Sequence, residues 1–142
     1  MKVTHIDVAR EINRVWPNFR NFVMPDEFYW LPKKKEVRKY LKESAFEKYK
    51  WQRSIFDCDD FALVLHAYIV EERYKNLNKI PEKERFAWAF GQVWGVRFAG
   101  KDLEHAINIC VTRDKGVQLI EPQRDKMWKA KAKRDIPLFI RI

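Results

Sequence analysis

Glycine is scarce, four in 142 residues, at positions 91, 95, 100 and 116. These four form neither GxGxxG nor GxxxxGKS/T, which excludes dinucleotide-binding and phosphate-loop sites of the usual kinds. Cysteine is scarcer. Cys58 and Cys110 are too few for a disulfide framework, and with no histidine beside either there is no zinc-ligand spacing. A reducing, cytoplasmic setting is the default expectation. Long apolar runs are missing too. The opening MKVTHIDVAREINRVW sets Asp7, Arg10, Glu11 and Arg14 among its apolar residues, so it has no signal-peptide core. No stretch reaches the roughly 20 residues of a membrane span, and no membrane partner is expected.

What is present suits one globular domain over 1–142: 46% hydrophobic residues, 15% aromatic and 35% charged. Lys and Arg number 29 against 20 Asp and Glu, a net charge of +9. That charge favours anionic partners, nucleic acid among them, and says nothing about chemistry.

Residues 3–16 carry Ile6, Ala9, Ile12, Val15 and Trp16 at helical spacing, opened by a Thr4 cap with Asp7 three later and stopped by Pro17. Pro17, Pro25 and Pro32 then punctuate an aromatic segment that reads as extended loop. A basic helix is expected from Lys33 to about Glu43, with Val37, Tyr40 and Leu41 inward. FALVLHAYIV, residues 61–70, reads as the central helix, buried in its first half. From Trp88 to Phe98 the pattern alternates as in a strand. HAINICV and VQLIEP flank TRDKG, a hairpin signal, and IPLFIRI supplies a closing strand. RDKMWKAKAKR between them reads as helix or loop. Helices first and antiparallel sheet second make an α+β layout.

The sequence FDCDDFA puts Asp57 at a helix cap and Cys58 at the first helical position. There the dipole and free N–H groups favour a thiolate, one route to a nucleophile. If Thr112 pairs with Gly116 around a three-residue loop, His105 faces Gln123 and Ile107 faces Glu121. His105, Ile107, Ile109 and Val111 then share a face with Val117, Leu119, Glu121 and Gln123, and the cysteine helix is the expected partner of that face. Cys110 falls on the other face as an inert thiol. His66 reads as a packed mid-helix histidine. Cys58 as nucleophile, His105 as base and Glu121 as the acid make an arrangement suited to acyl transfer. The backbone N–H of Cys58 and the amide of Gln52 are oxyanion donors in this scheme.

DCDDFA opening a helix, HAINI on one strand and IEPQ on the next resemble the papain-like cysteine-protease domain of the fungal chimerolectin (agglutinin C-terminal) type. They are more distantly similar to bacterial transglutaminase-like cysteine peptidases. The resemblance covers Gln52 to about Asp125. It implies a papain-like or transglutaminase-like fold, a thioester mechanism on peptide or amide substrates, and a site of Cys58, His105, Glu121 and Gln52. No sugar-binding repeat precedes this part, so lectin activity is not carried over. Asp57, Asp59 and Asp60 oppose the thiolate by their charge. The resemblance implies a divalent cation, Ca²⁺ or Mn²⁺, held by Asp59, Asp60, Glu121 and Gln123. Whether Glu121 orients His105 or binds metal stays open. The alternative function is a catalytically silent binding module. Its basic segments Lys33–Lys42 and Arg124–Arg134 would contact nucleic acid or an acidic partner.

Overall fold

The computed structural model describes residues 1–142. In chain order the elements are β1 (Lys2–Thr4), α1 (His5–Val15), β2 (Phe22–Val23), β3 (Phe28–Trp30), α2 (Lys34–Ser44), α3 (Cys58–Lys75), β4 (Ala87–Trp88), β5 (Phe90–Val96), β6 (Glu104–Thr112), β7 (Gly116–Glu121), β8 (Lys126–Lys129) and β9 (Ile136–Arg141). Six strands make the main sheet in the order β2-β9-β5-β6-β7-β8, and β1, β3 and β4 make a small second sheet. In the main sheet only β2 and β9 run parallel. The α+β layout follows.

Local signals account for the ends of the elements. Thr4 Oγ1 accepts from Asp7 N at 3.2 Å while Asp7 Oδ2 accepts from Thr4 N at 3.1 Å, closing a reciprocal cap on α1. Lys33 N donates to Glu36 Oε2 to start α2, and Ala45 ends it in the left-handed region at φ 54°. In the hairpin, Thr112 pairs with Gly116, whose φ of 67° suits a residue without a Cβ.

The main sheet separates two apolar clusters. Ile107, Ile109, Val111, Val117 and Leu119 pack with Val8, Ile12 and Trp16 of α1 on one face. Cys110, Ile120 and Phe90 pack with Leu65 and Ile69 of α3 and with Val37 and Leu41 of α2 on the other. This corrects the expected pairing of faces: the odd-numbered apolar face of β6 meets α1, and α3 takes the face of Asn108 and Cys110. The more polar face tolerates burial because its amide nitrogens find acceptors, although the Asn108 and Gln118 amide oxygens stay unpartnered. Asn108 Nδ2 donates to Ala62 O at 2.8 Å and to Gly91 O at 3.0 Å, and Gln118 Nε2 donates to Lys115 O at 2.9 Å.

Three segments differ from expectation. The proline-punctuated segment holds two short strands, β2 and β3, where extended loop was expected. The basic stretch after Pro122 opens with β8, neither helix nor loop, because Met127 and Trp128 pair with Ile120 and Leu119. The Trp88–Phe98 strand is broken: β4 joins the small sheet, and Arg97 turns at φ 63°. No helix is long and apolar enough to cross a membrane.

Candidate functional site

Cys58 is the first residue of α3, with Asp57 before it in extended conformation. Asp57 N donates to Asp60 Oδ2 at 3.2 Å, and Asp57 Oδ2 accepts from Ser54 N at 3.1 Å, so both carboxylates shape the helix start. The thiol is half-buried and forms no disulfide. At this helix end, dipole and free N–H groups favour negative charge on sulfur.

The sheet supplies the other half of the site. β6 and β7 pair in the register read from sequence, Asn108 with Ile120 and Thr112 with Gly116. Glu121 therefore lies beside the start of β6. His105 Nε2 stands 2.5 Å from Glu121 Oε2, a charge-assisted contact, and Glu121 Oε1 accepts from Gln123 N at 3.2 Å. Nε2 is thus engaged, leaving Nδ1 to face the cysteine. Although α3 and the His105 side of β6 belong to different faces, the two residues meet at the end of the sheet. Gly95 pairs with His105 at an irregularity between β5 and β9, and a Cβ there would lie 2.2 Å from Ile136 O and 2.7 Å from Phe98 Cζ. The strands approach closely because Gly95 has no side chain.

The electrostatics favour charge separation. A hydrogen bond with His105 holds the Cys58 thiol below its ordinary value; burial opposes this, while the N–H of Ala106 and the imidazole charge support it. Burial pulls the His105 imidazole down, yet the bonds to Cys58 and Glu121 prevail and push it up to about 9. Both shifts favour the thiolate–imidazolium form of the pair over the neutral one. Asp57 raises the thiol only as the last of its influences, so the acidic surroundings do not reverse the downward shift. Asp59 is driven up chiefly by its hydrogen bond with Asp57, which is itself lowered by that bond.

A cleft of about 430 Å³ opens over the sulfur between Trp51 and Trp94, with Asp57, Asp59, Glu104 and Leu138 on its rim. Cys58, His105 and Trp51 also border a second recess of about 300 Å³ that reaches Glu121, Gln123 and Arg124. Trp94 is a candidate cleft wall from the sequence, whereas Trp51 has no stronger signal than its type and its nearness to the motif. Gln52 lies in an exposed turn, its N–H and carbonyl bonded to Phe56, and it lines neither recess. The expected oxyanion amide is therefore not placed over the thiol.

The four expected cation ligands, Asp59, Asp60, Glu121 and Gln123, do not gather into one set. Asp60 caps the helix, Glu121 uses both oxygens on His105 and Gln123, and Gln123 borders only the second recess. The donor atoms that do gather, within 4.8 Å of one another, are those of Asp57, Cys58 and Asp59. Cys110 is fully buried among apolar neighbours, and burial pushes its thiol well up.

The family described as Agglutinin C-terminal matches residues 29–127. Two solved structures share the fold. One, described as the PSL1a-E64 complex, aligns with a TM-score of 0.78 at 23% identity over 99% of this chain and 51% of its own. The other is a Polyporus squamosus lectin bound to a human-type influenza-binding epitope, Neu5Aca2-6Galb1-4GlcNAc, with a TM-score of 0.77 at 22% identity over 99% of this chain and 49% of its own. The chain thus spans about half the length of each. Among curated proteins none matches.

These findings correct the functional expectations. The similar proteins are described as an agglutinin and as a lectin bound to a sialylated glycan, which overturns the cysteine peptidase or amidase reading, the hydrolase class and the peptide or amide substrate. The nucleic-acid module is corrected on the same ground. The physical reason is that a fold and a thiol shifted toward ionisation do not by themselves define turnover. With 29–127 covered, more than half of its length, the chain belongs to the agglutinin C-terminal family.

Proposed function

We propose that this chain is one module of a carbohydrate-binding agglutinin and that it meets its ligand in the Cys58 cleft. The observation that carries this is the open cleft walled by Trp51 and Trp94 and rimmed by Asp57, Asp59 and Glu104. Indole rings offer flat apolar surface for the C–H face of a sugar ring, and carboxylates accept from its hydroxyls. The sialylated glycan held by the Polyporus squamosus lectin makes that trisaccharide the first probe. Titrating it into the protein shifts the indole N–H resonances of Trp51 and Trp94. Unmoved indole resonances at millimolar trisaccharide overturn the reading.

The Cys58–His105 pair favours a second reading of the same cleft, in which Cys58 is a reactive thiolate toward carbon electrophiles. In it His105 is the imidazolium partner and Glu121 the residue that orients it. Selective alkylation of Cys58 by iodoacetamide at neutral pH supports this reading, and labelling no faster than that of a free thiol refutes it. A Ca²⁺ or Mn²⁺ ion belongs to the proposal only as an addition, since the expected ligands lie apart. Relief of the repulsion between Asp57 and Asp59 would be its effect, read as a changed alkylation rate between EDTA and millimolar metal. The papain-like or transglutaminase-like fold class is likewise part of the proposal. It rests on the cysteine-bearing α3 packed against antiparallel strands and concerns construction alone. Two unpaired cysteines suit a reducing, cytoplasmic setting.

A further inference from the structure

The α2 helix turns a row of cations outward. Lys35, Arg38, Lys39 and Lys42 are exposed at intervals of one to four residues that keep them on one side of the helix. With Leu41 and Met127 they line a groove of about 500 Å³ between α2 and β8, the strand at the edge of the main sheet. It shares no residue with either recess at Cys58.

This charge is not neutralised within the chain. Lys35, Arg38 and Lys42 form no ion pair and no side-chain hydrogen bond, and Lys39 reaches Glu43 only at 3.8 Å. Lys34, at the start of the same helix, is held below its ordinary value by burial and then by the charges of Arg38 and Lys115. Asp125 is the one acid on the groove wall, and burial and the adjoining Glu47 carboxylate raise its carboxyl against the pull of Lys42. On β8, Lys129 stands on the same face as Met127, so the cationic row runs on beyond the groove.

A lone surface lysine is simply solvated. Four cations on one side of a helix, bordering a concave floor, attract a ligand that itself carries several charges. From Lys35 to Lys42 the row spans about 10 Å along the helix axis, the reach of a disaccharide, so successive cations meet successive charged groups of a stiff chain. Met127 gives the floor an apolar surface for the C–H face of a sugar. No aromatic ring lines the groove, so nucleic-acid bases have nothing to stack upon.

We infer that the groove between α2 and β8 is a binding site for a sulfated, uronate-bearing polysaccharide laid along Lys35, Arg38, Lys39 and Lys42. The site is independent of the Cys58 cleft. Calorimetric titration of the whole chain at physiological ionic strength tests it with a heparin tetrasaccharide, the same tetrasaccharide stripped of sulfate, and a thymidine oligonucleotide of equal charge. The sulfated tetrasaccharide binds at least tenfold more tightly than either of the others. Arg38→Gln combined with Lys42→Gln, both exposed and both to a good helix former, weakens it at least tenfold. Arg10→Gln combined with Arg14→Gln removes the same charge from α1, across the sheet, and weakens it less than twofold. The inference is overturned if the sulfated tetrasaccharide fails to bind at millimolar concentration or if the stripped sugar or the oligonucleotide binds as tightly. Equal losses in the two double variants overturn it too, since net charge alone would then explain the binding.

Discussion

Asn108 of β6 binds Ala62 of α3 through its side-chain amide at 2.8 Å, and the same nitrogen reaches Gly91 of β5 at 3.0 Å. One fully buried amide thus fixes where the helix that begins with Cys58 sits against two strands. Replacing Asn108 by Ala removes both bonds and leaves a void, at a cost of about 1–3 kcal/mol in urea unfolding. Because the helix start shifts with it, alkylation of Cys58 slows in the folded variant.

The two thiols differ by environment, and iodoacetamide reads the difference. Cys58 reacts at neutral pH; Cys110, with no exposed surface, reacts only after unfolding. His105→Ala removes the hydrogen bond that most lowers the Cys58 thiol and reduces its labelling rate at pH 7 by about tenfold or more, as mass spectrometry of the labelled peptides measures.

Glu121 acts on sulfur through His105. Glu121→Gln removes the carboxylate charge and lowers the imidazole from about 9, so the thiolate–imidazolium form persists over a narrower pH range. NMR titration of the His105 ring gives this directly, and an unchanged value would refute the assignment.

The pair also shapes stability against pH. His105, raised from 6.5 to about 9, contributes stability fully present below pH 6.5 and lost as pH climbs through about 9. Cys58, lowered from 9.0, contributes stability present above pH 9 and lost as pH falls through its folded value. Where the two ranges overlap the slopes cancel, since folding moves a proton from sulfur to nitrogen without net uptake. Cys58→Ser also removes the sulfur's share of the upward shift on His105, leaving the part that Glu121 supplies, so stability in the variant falls over a shorter span above pH 6.5 than a shift to about 9 would give. Urea titrations at several pH values make the comparison.

Gly95→Ala places a Cβ against Ile136 O and Phe98, a backbone obstruction that cannot rotate away. We expect a loss of about 1–3 kcal/mol, with β5 and β9 parting opposite His105.

Much of this arrangement is legible in the chain, and its limits have physical causes. The β6–β7 register follows from one glycine after a three-residue loop, because ladder partners keep a constant sum. That brought Glu121 and His105 to the same end of the sheet. The choice of face is not legible, since both faces of β6 are buried and Asn108 looks polar until Ala62 supplies an acceptor. β8 is hidden by its lysines, which point outward while Met127 and Trp128 make the contact. Gln52 carries a spacing signal, but the turn closed by Phe56 sends it outward, a tertiary outcome that no six-residue offset records.

The position of β9 governs how the molecule comes into being. It is the last strand in sequence, yet it lies between β2 and β5, and a chain lacking residues 136–142 would leave the long flank of β5 bare. An uncovered strand flank is an invitation to foreign pairing. Assembly of the sheet therefore waits on contacts between the beginning and the end of the chain, which predisposes the protein to slow, all-or-none acquisition of structure. Loss of the final seven residues is expected to convert it from a discrete fold into an aggregating one.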